Sequence, residues 1–124
     1  MGGMEIWFNP SCSKCRIAGQ ELAAAGLEVP QRRYLDDVPS AQELSDVLDK
    51  IGMQPWELAR LAEPVAKELG MSSWPKDRER WIAAMVANPK LIQRPIVVLD
   101  DGRAIVARTP EALRDVIASA ADSG

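Results

Sequence analysis

Alternating apolar residues from Met4 to Phe8 run into Asn9-Pro10 and then into Ser11-Cys12-Ser13-Lys14-Cys15-Arg16, placing the only two cysteines of the chain at a strand-to-helix junction. Period-two alternation predicts a strand and Asn-Pro breaks it. Ile17, Leu22, Ala23 and Ala25 continue with helical spacing up to Gly26 as the stop. Cys12 is then expected at the helix N-cap. Unpaired backbone N–H groups and the positive end of the helix dipole stabilise a thiolate there, and Lys14 and Arg16 add positive charge, so the thiol pKa should be depressed. Such a thiol is a nucleophile at neutral pH.

Other uses of the pair fit less well. A disulfide between residues three apart closes a tiny loop and restricts the unfolded chain little, which argues against an inert staple. A zinc site needs about four ligands, and the chain has no further Cys and no His, so no metal is expected. The same lack of His rules out a Cys-His pair, leaving the helix terminus and cations to activate Cys12. Redox or anion chemistry remains.

At 124 residues, 47% of them hydrophobic, the chain suits one compact domain and is too short for two of ordinary size. No apolar run approaches the roughly 20 residues that span a bilayer, and no signal-peptide pattern precedes Met4, so a soluble, cytoplasmic protein that enters no membrane is expected. In that compartment Cys-x-x-Cys is more often redox-active than structural. A net charge of −3 argues against direct binding to nucleic acid or anionic lipid, so any bound anion must be held by local arginines. Met1-Gly2-Gly3 reads as a flexible start or a cloning remnant.

Past Gly26, Val29 to Leu35 predicts a second strand ended by Asp36-Asp37, giving a β-α-β unit. Ser40-Ala41-Gln42-Glu43 is a capping box opening a helix with Leu44, Val47, Leu48 and Ile51 as its apolar stripe and Gly52 as its end. From Pro55 to Asn88 the pattern stays helical, broken at Pro64, Gly70 and Pro75. It predicts three or four short helices with Trp56, Leu58, Leu61, Val65, Leu69, Trp81, Ile82 and Met85 as core candidates. Ile96 to Leu99, the turn Asp100-Asp101-Gly102 and Arg103 to Ala107 predict a hairpin. Thr109-Pro110-Glu111 then supplies an N-cap, a Pro at N1 and an acidic first turn for a last helix to about Ala121.

The order β-α-β, helical block, β-β-α is that of an α/β (α+β) thioredoxin-like fold: one domain over residues 1–124 with a helical insertion at about 40–90. Asn9-Pro10-x-Cys12, Arg60-x-x-Glu63-Pro64, Ile92-x-Arg94-Pro95-Ile96-Val97-Val98 and Arg108-x-Pro110 occur in this order and spacing in the arsenate reductase (ArsC) family of glutaredoxin-like proteins. The chain resembles that family over nearly its whole length.

The resemblance implies that Cys12 is the nucleophile and that Arg60, Arg94 and Arg108 hold an oxyanion. Arsenate is a tetrahedral dianion near neutral pH, and guanidinium forks suit oxyanions better than lysine does. Arginines beside a thiolate also lower its pKa. Pro95 is expected to be cis and to face the thiol, as in relatives with this fold, which aims Arg94 into the site. Arg32, Arg33, Arg78, Arg80, Arg103 and Arg114 are taken as solvated surface charges, and the four tryptophans as packing residues.

In the best-known branch of the family the adduct is resolved by glutathione, and glutaredoxin recycles the mixed disulfide. Two departures matter: Phe8 stands where that branch often carries His, and Cys15 where it commonly carries Ser. Cys15 is therefore expected to attack Cys12 and release arsenite, leaving a disulfide for thioredoxin or a similar dithiol. No bound cofactor is implied beyond an external thiol reductant, thioredoxin or glutathione with glutaredoxin, and a monomer is expected. Two alternatives share the cysteines. One is a Spx-type redox-sensing regulator of RNA polymerase, against which the full arginine set weighs. The other is a general disulfide reductase.

Overall fold

The computed structural model describes residues 4–123, so the reading of Met1-Gly2-Gly3 lies outside the described residues. The chain forms two compact units, one from residues 4–37 and 94–123 and the other from Val38–Gln93.

The first unit is built on β1 (Glu5–Trp7), α1 (Ser13–Ala24), β2 (Gln31–Arg32), β3 (Ile96–Val98), β4 (Ala104–Val106) and α6 (Pro110–Ser123). Its sheet runs β2-β1-β3-β4, with β1 parallel to β2 and the other pairs antiparallel. Along the chain the elements follow the β-α-β, helical block, β-β-α order expected from the sequence. Because side chains alternate across a strand, Ile6 and Phe8 face one side with Val97, Leu99 and Ala107. There they pack with Cys15, Ala18 and Leu22 of α1 and with Leu113 and Val116 of α6. Trp7, the register partner of Ile96, points to the other side and stacks on Tyr34.

Two local expectations change. The second strand is only Gln31–Arg32 rather than Val29 to Leu35, because the Arg33 carbonyl accepts from the amides of Asp36 and Asp37 at 3.0 and 2.8 Å and bends the chain into a turn. In α1 the buried stripe is Cys15, Ala18 and Leu22, whereas Ile17, Ala23 and Ala25 are exposed. Residue 17 lies two positions, some 200°, around the helix from Cys15, so the two cannot share a buried face.

The hairpin forms as expected. The Leu99 amide donates to the Arg103 carbonyl at 2.8 Å, and Gly102 takes φ 91° in the turn. The Thr109 hydroxyl caps α6 by accepting from the Ala112 amide at 3.1 Å.

The second unit is helical: α2 (Ala41–Ile51), α3 (Pro55–Leu58), α4 (Pro64–Leu69) and α5 (Arg78–Ala87), with 3₁₀ turns at Met71–Ser73 and Pro89–Leu91. The capping box closes on both sides, since the Ser40 hydroxyl accepts from the Glu43 amide at 3.1 Å and Glu43 Oε1 accepts from the Ser40 amide at 3.2 Å. Leu44, Val47 and Leu48 form the buried stripe of α2. Leu61 and Leu69, expected in the core, are exposed; α4 is too short to bury more than Ala66, and Leu58 and Met71 are buried on either side of it. Arg78 is not a simple solvated charge. It donates to Gln54 Oε1, the Ser45 carbonyl and Asp49 Oδ1 at 3.0, 3.1 and 2.9 Å, strapping α5 to α2. Among the described residues no helix is long and apolar enough to cross a membrane.

Candidate active site

Both cysteines stand at the N-terminus of α1. Cys12 is its N-cap, with extended backbone at φ −95° and ψ 123°. Asn9 shapes the approach in three ways. Its carbonyl accepts from the Cys12 amide at 2.9 Å, its side-chain oxygen accepts from the Ser11 amide at 3.0 Å, and its own amide donates to Cys15 Sγ at 3.4 Å. Both thiols are free, Cys12 half-buried and Cys15 buried.

Their acidities diverge. Burial alone would raise the Cys12 pKa, but it is outweighed by the Cys15 amide, the Arg94 guanidinium, the Lys14 amide and the Cys15 thiol, which bring it from 9.0 down to about 7. Cys15 moves the other way: burial and the neighbouring Cys12 charge push it up to about 11 against the Asn9 amide. The expected depression of Cys12 therefore occurs, from the amides of the helix N-terminus and from the Arg94 that the resemblance aims into the site, and without the side chains of Lys14 and Arg16. Lys14 contributes its backbone, and Arg16 is exposed and donates to the Pro10 carbonyl at 3.4 Å. The cation at the thiol is Arg94, brought there by tertiary folding.

Arg94 precedes a cis peptide bond to Pro95, and the Pro95 carbonyl accepts from the Ala107 amide at 2.9 Å. That bond sets the end of β4 beside Arg94. From there Arg108 Nη1 donates to the Arg94 carbonyl at 2.8 Å. The first unit thus joins Cys12, Cys15, Arg94, Pro95 and Arg108. Arg60 belongs to the helical unit, where its amide donates to the Leu91 carbonyl at 2.7 Å and its guanidinium pairs with Glu63 at 2.9 Å. That ion pair accounts for the spacing Arg60-x-x-Glu63.

One neighbour was not foreseen. Tyr34 is fully buried and within reach of the Arg94 guanidinium. Burial pushes its phenol up to about 12, although the nearby Arg94 charge opposes the rise. The available signal was that the chain's single tyrosine falls within the predicted strand Val29 to Leu35. Arg32 is also more than a surface charge: its guanidinium lies 5.4 Å over the Trp7 ring and its side chain is only 12% exposed. No group of three or more His, Cys, Asp or Glu placed to hold a metal ion occurs among the described residues. A half-buried thiolate flanked by a guanidinium can attack an electrophile bearing negatively charged oxygens, and a second thiol one helical turn on can attack the sulfur of the adduct, forming a disulfide as the sulfur–electrophile bond breaks.

Comparison with known proteins finds relatives over nearly the whole chain. The chain is 54% identical over 117 residues to an uncharacterized protein from the glnII region of Streptomyces viridochromogenes, covering 92% of this chain and 98% of that one. It is 34% identical over 118 residues to an arsenate reductase of Neisseria meningitidis, covering 94% of this chain and all of the relative. Among solved structures, the arsenate reductase from Vibrio cholerae superposes with a TM-score of 0.86 at 33% identity, covering 92% of this chain and 97% of that one. The ArsC family model matches residues 7–116, and the chain belongs to the ArsC family.

Proposed function

We propose that this ArsC-family oxidoreductase reduces arsenate to arsenite with Cys12 as nucleophile and Cys15 as resolving thiol. The observation that carries the reading is the Arg94 guanidinium at a helix N-cap thiol whose pKa falls to about 7, with a second, buried thiol three residues on.

Cys12 thiolate attacks arsenic, a sulfur–arsenic bond forms, and one oxygen leaves as water after protonation. Arg94, with Arg108 beside it, holds the remaining negative oxygens through charge-assisted donors. A part for Arg60 in holding them rests on the family resemblance alone. Cys15, once deprotonated, attacks Cys12 Sγ. The electron pair of the sulfur–arsenic bond passes to arsenic, arsenic(V) becomes arsenic(III), and arsenite leaves a Cys12–Cys15 disulfide. An external thiol reductant, thioredoxin or glutathione with glutaredoxin, restores the two thiols by exchange. The protein works as a monomer in the cytoplasm in this reading.

The test is NADPH-coupled arsenate reduction, run with thioredoxin and its reductase and, separately, with glutathione and glutaredoxin. Arsenate-dependent turnover with thioredoxin is the expected result. Absence of turnover with both systems would overturn the reading.

A further inference from the structure

Tyr34 is a buried titratable group that the proposed reaction does not use. It sits in the turn after β2, where the Arg33 carbonyl gathers the amides of Asp36 and Asp37, and its side chain is fully buried. The ring is held by a layered stack: Tyr34 lies on Trp7 with centroids 6.4 Å apart and planes 24° from parallel, and Arg32 covers Trp7 at 5.4 Å. Trp7 is itself tethered, its Nε1 donating to Glu5 Oε1 at 2.8 Å. Such a stack leaves the phenol oxygen little freedom. A buried hydroxyl needs a hydrogen-bond partner, and the Arg94 guanidinium, a donor, meets Tyr34 as an acceptor.

The backbone of the same arginine is held separately, by Arg108 on the Arg94 carbonyl at 2.8 Å. We propose that Tyr34 is a positioning residue of the site: its hydroxyl, fixed by the Trp7 stack, holds the Arg94 guanidinium at Cys12 so that the fork faces both the thiolate and an incoming oxyanion. This rests on the reading of Cys12 as nucleophile. A functional side chain keeps its productive geometry when packing and a supporting hydrogen bond lock its rotamer. A packing role alone would need only the ring, since Phe would preserve the stack on Trp7.

The experiment uses the full chain in the reduced state and reads the pH dependence of iodoacetamide alkylation at Cys12, with circular dichroism melts alongside. In Tyr34→Phe the alkylation midpoint is expected to rise by about half a unit or more, because a less firmly held cation stabilises the thiolate less. The oxyanion KM is expected to rise about threefold to tenfold, the range for one lost hydrogen bond, with a smaller change in kcat. In an Arg94→Ala background the same Tyr34→Phe change is expected to leave the midpoint where Arg94→Ala alone puts it, because the phenol acts through the arginine. An unchanged midpoint in Tyr34→Phe, or an equal shift with and without Arg94, would overturn the role. A wild-type midpoint near that of a free thiol would instead overturn the proposed function, and this role with it.

Discussion

Arg108 Nη1 donates to the Arg94 carbonyl oxygen at 2.8 Å, joining the residues on either side of the β3–β4 hairpin. The arginine that meets the Cys12 thiol is therefore held in part by another arginine of the same predicted set. Arg108→Ala should cost about 1 kcal/mol of stability through the lost hydrogen bond. It should also raise the midpoint for Cys12 alkylation, because Arg94 loses its anchor. Thermal melts and alkylation kinetics check both effects; a variant that alters neither would separate Arg108 from the site.

The stability of the reduced protein should pass through a maximum near pH 9. Cys12 titrates at about 7 when folded and at 9.0 when unfolded, so between those values only the unfolded chain holds the proton and stability rises with pH. That contribution is complete above 9 and is lost as the pH falls through 7. Cys15 does the opposite: from 9.0 to about 11 only the folded state holds its proton, and stability falls. Tyr34 adds to the fall between 10.0 and about 12. The midpoint temperature measured against pH is the readout, and Cys12→Ser should remove the rise between pH 7 and 9.

Cys15→Ser should stop multiple turnover with thioredoxin while leaving Cys12 alkylation intact, because the nucleophile survives and the internal resolving thiol does not. Mass spectrometry of the unmutated protein after one equivalent of arsenate should find the Cys12–Cys15 disulfide. Unchanged thioredoxin-driven turnover would assign resolution to an external thiol.

Away from the chemistry, Ser40→Ala removes the hydroxyl that accepts from the Glu43 amide at 3.1 Å. The expected loss is about 1 kcal/mol, the usual worth of an N-cap, with no change in Cys12 alkylation. Chemical denaturation checks the first and iodoacetamide kinetics the second.

Much of this was legible because it is local. The capping box at Ser40, the Thr109-Pro110 start of α6, the Asp101-Gly102 turn and Cys12 at an N-cap all depend on residues within four positions of each other. Ile17 and Leu69 misled for a different reason. Apolar spacing marks which residues could be buried, whereas the neighbouring elements decide which face is, and here Cys15 and Ala66 took those places. Val29 to Leu35 read as a longer strand because its composition suits one, yet the Arg33 carbonyl turned the chain after two paired residues.

The sequence by itself determined the element order, the cysteine pair at the start of α1 and the motif spacings that the family resemblance rests on, since each is written in short-range spacing. The family resemblance aimed Arg94 at the site, and the tertiary structure decided that it, rather than the nearby Lys14 or Arg16, meets the thiol. Lys14 and Arg16 are adjacent in the chain, but a helix N-terminus turns their side chains outward, whereas Arg94 reaches Cys12 from more than eighty residues away through sheet pairing. Tyr34 joined the group in the same way, because stacking on Trp7 and meeting Arg94 are contacts between strands and turns that no local pattern encodes.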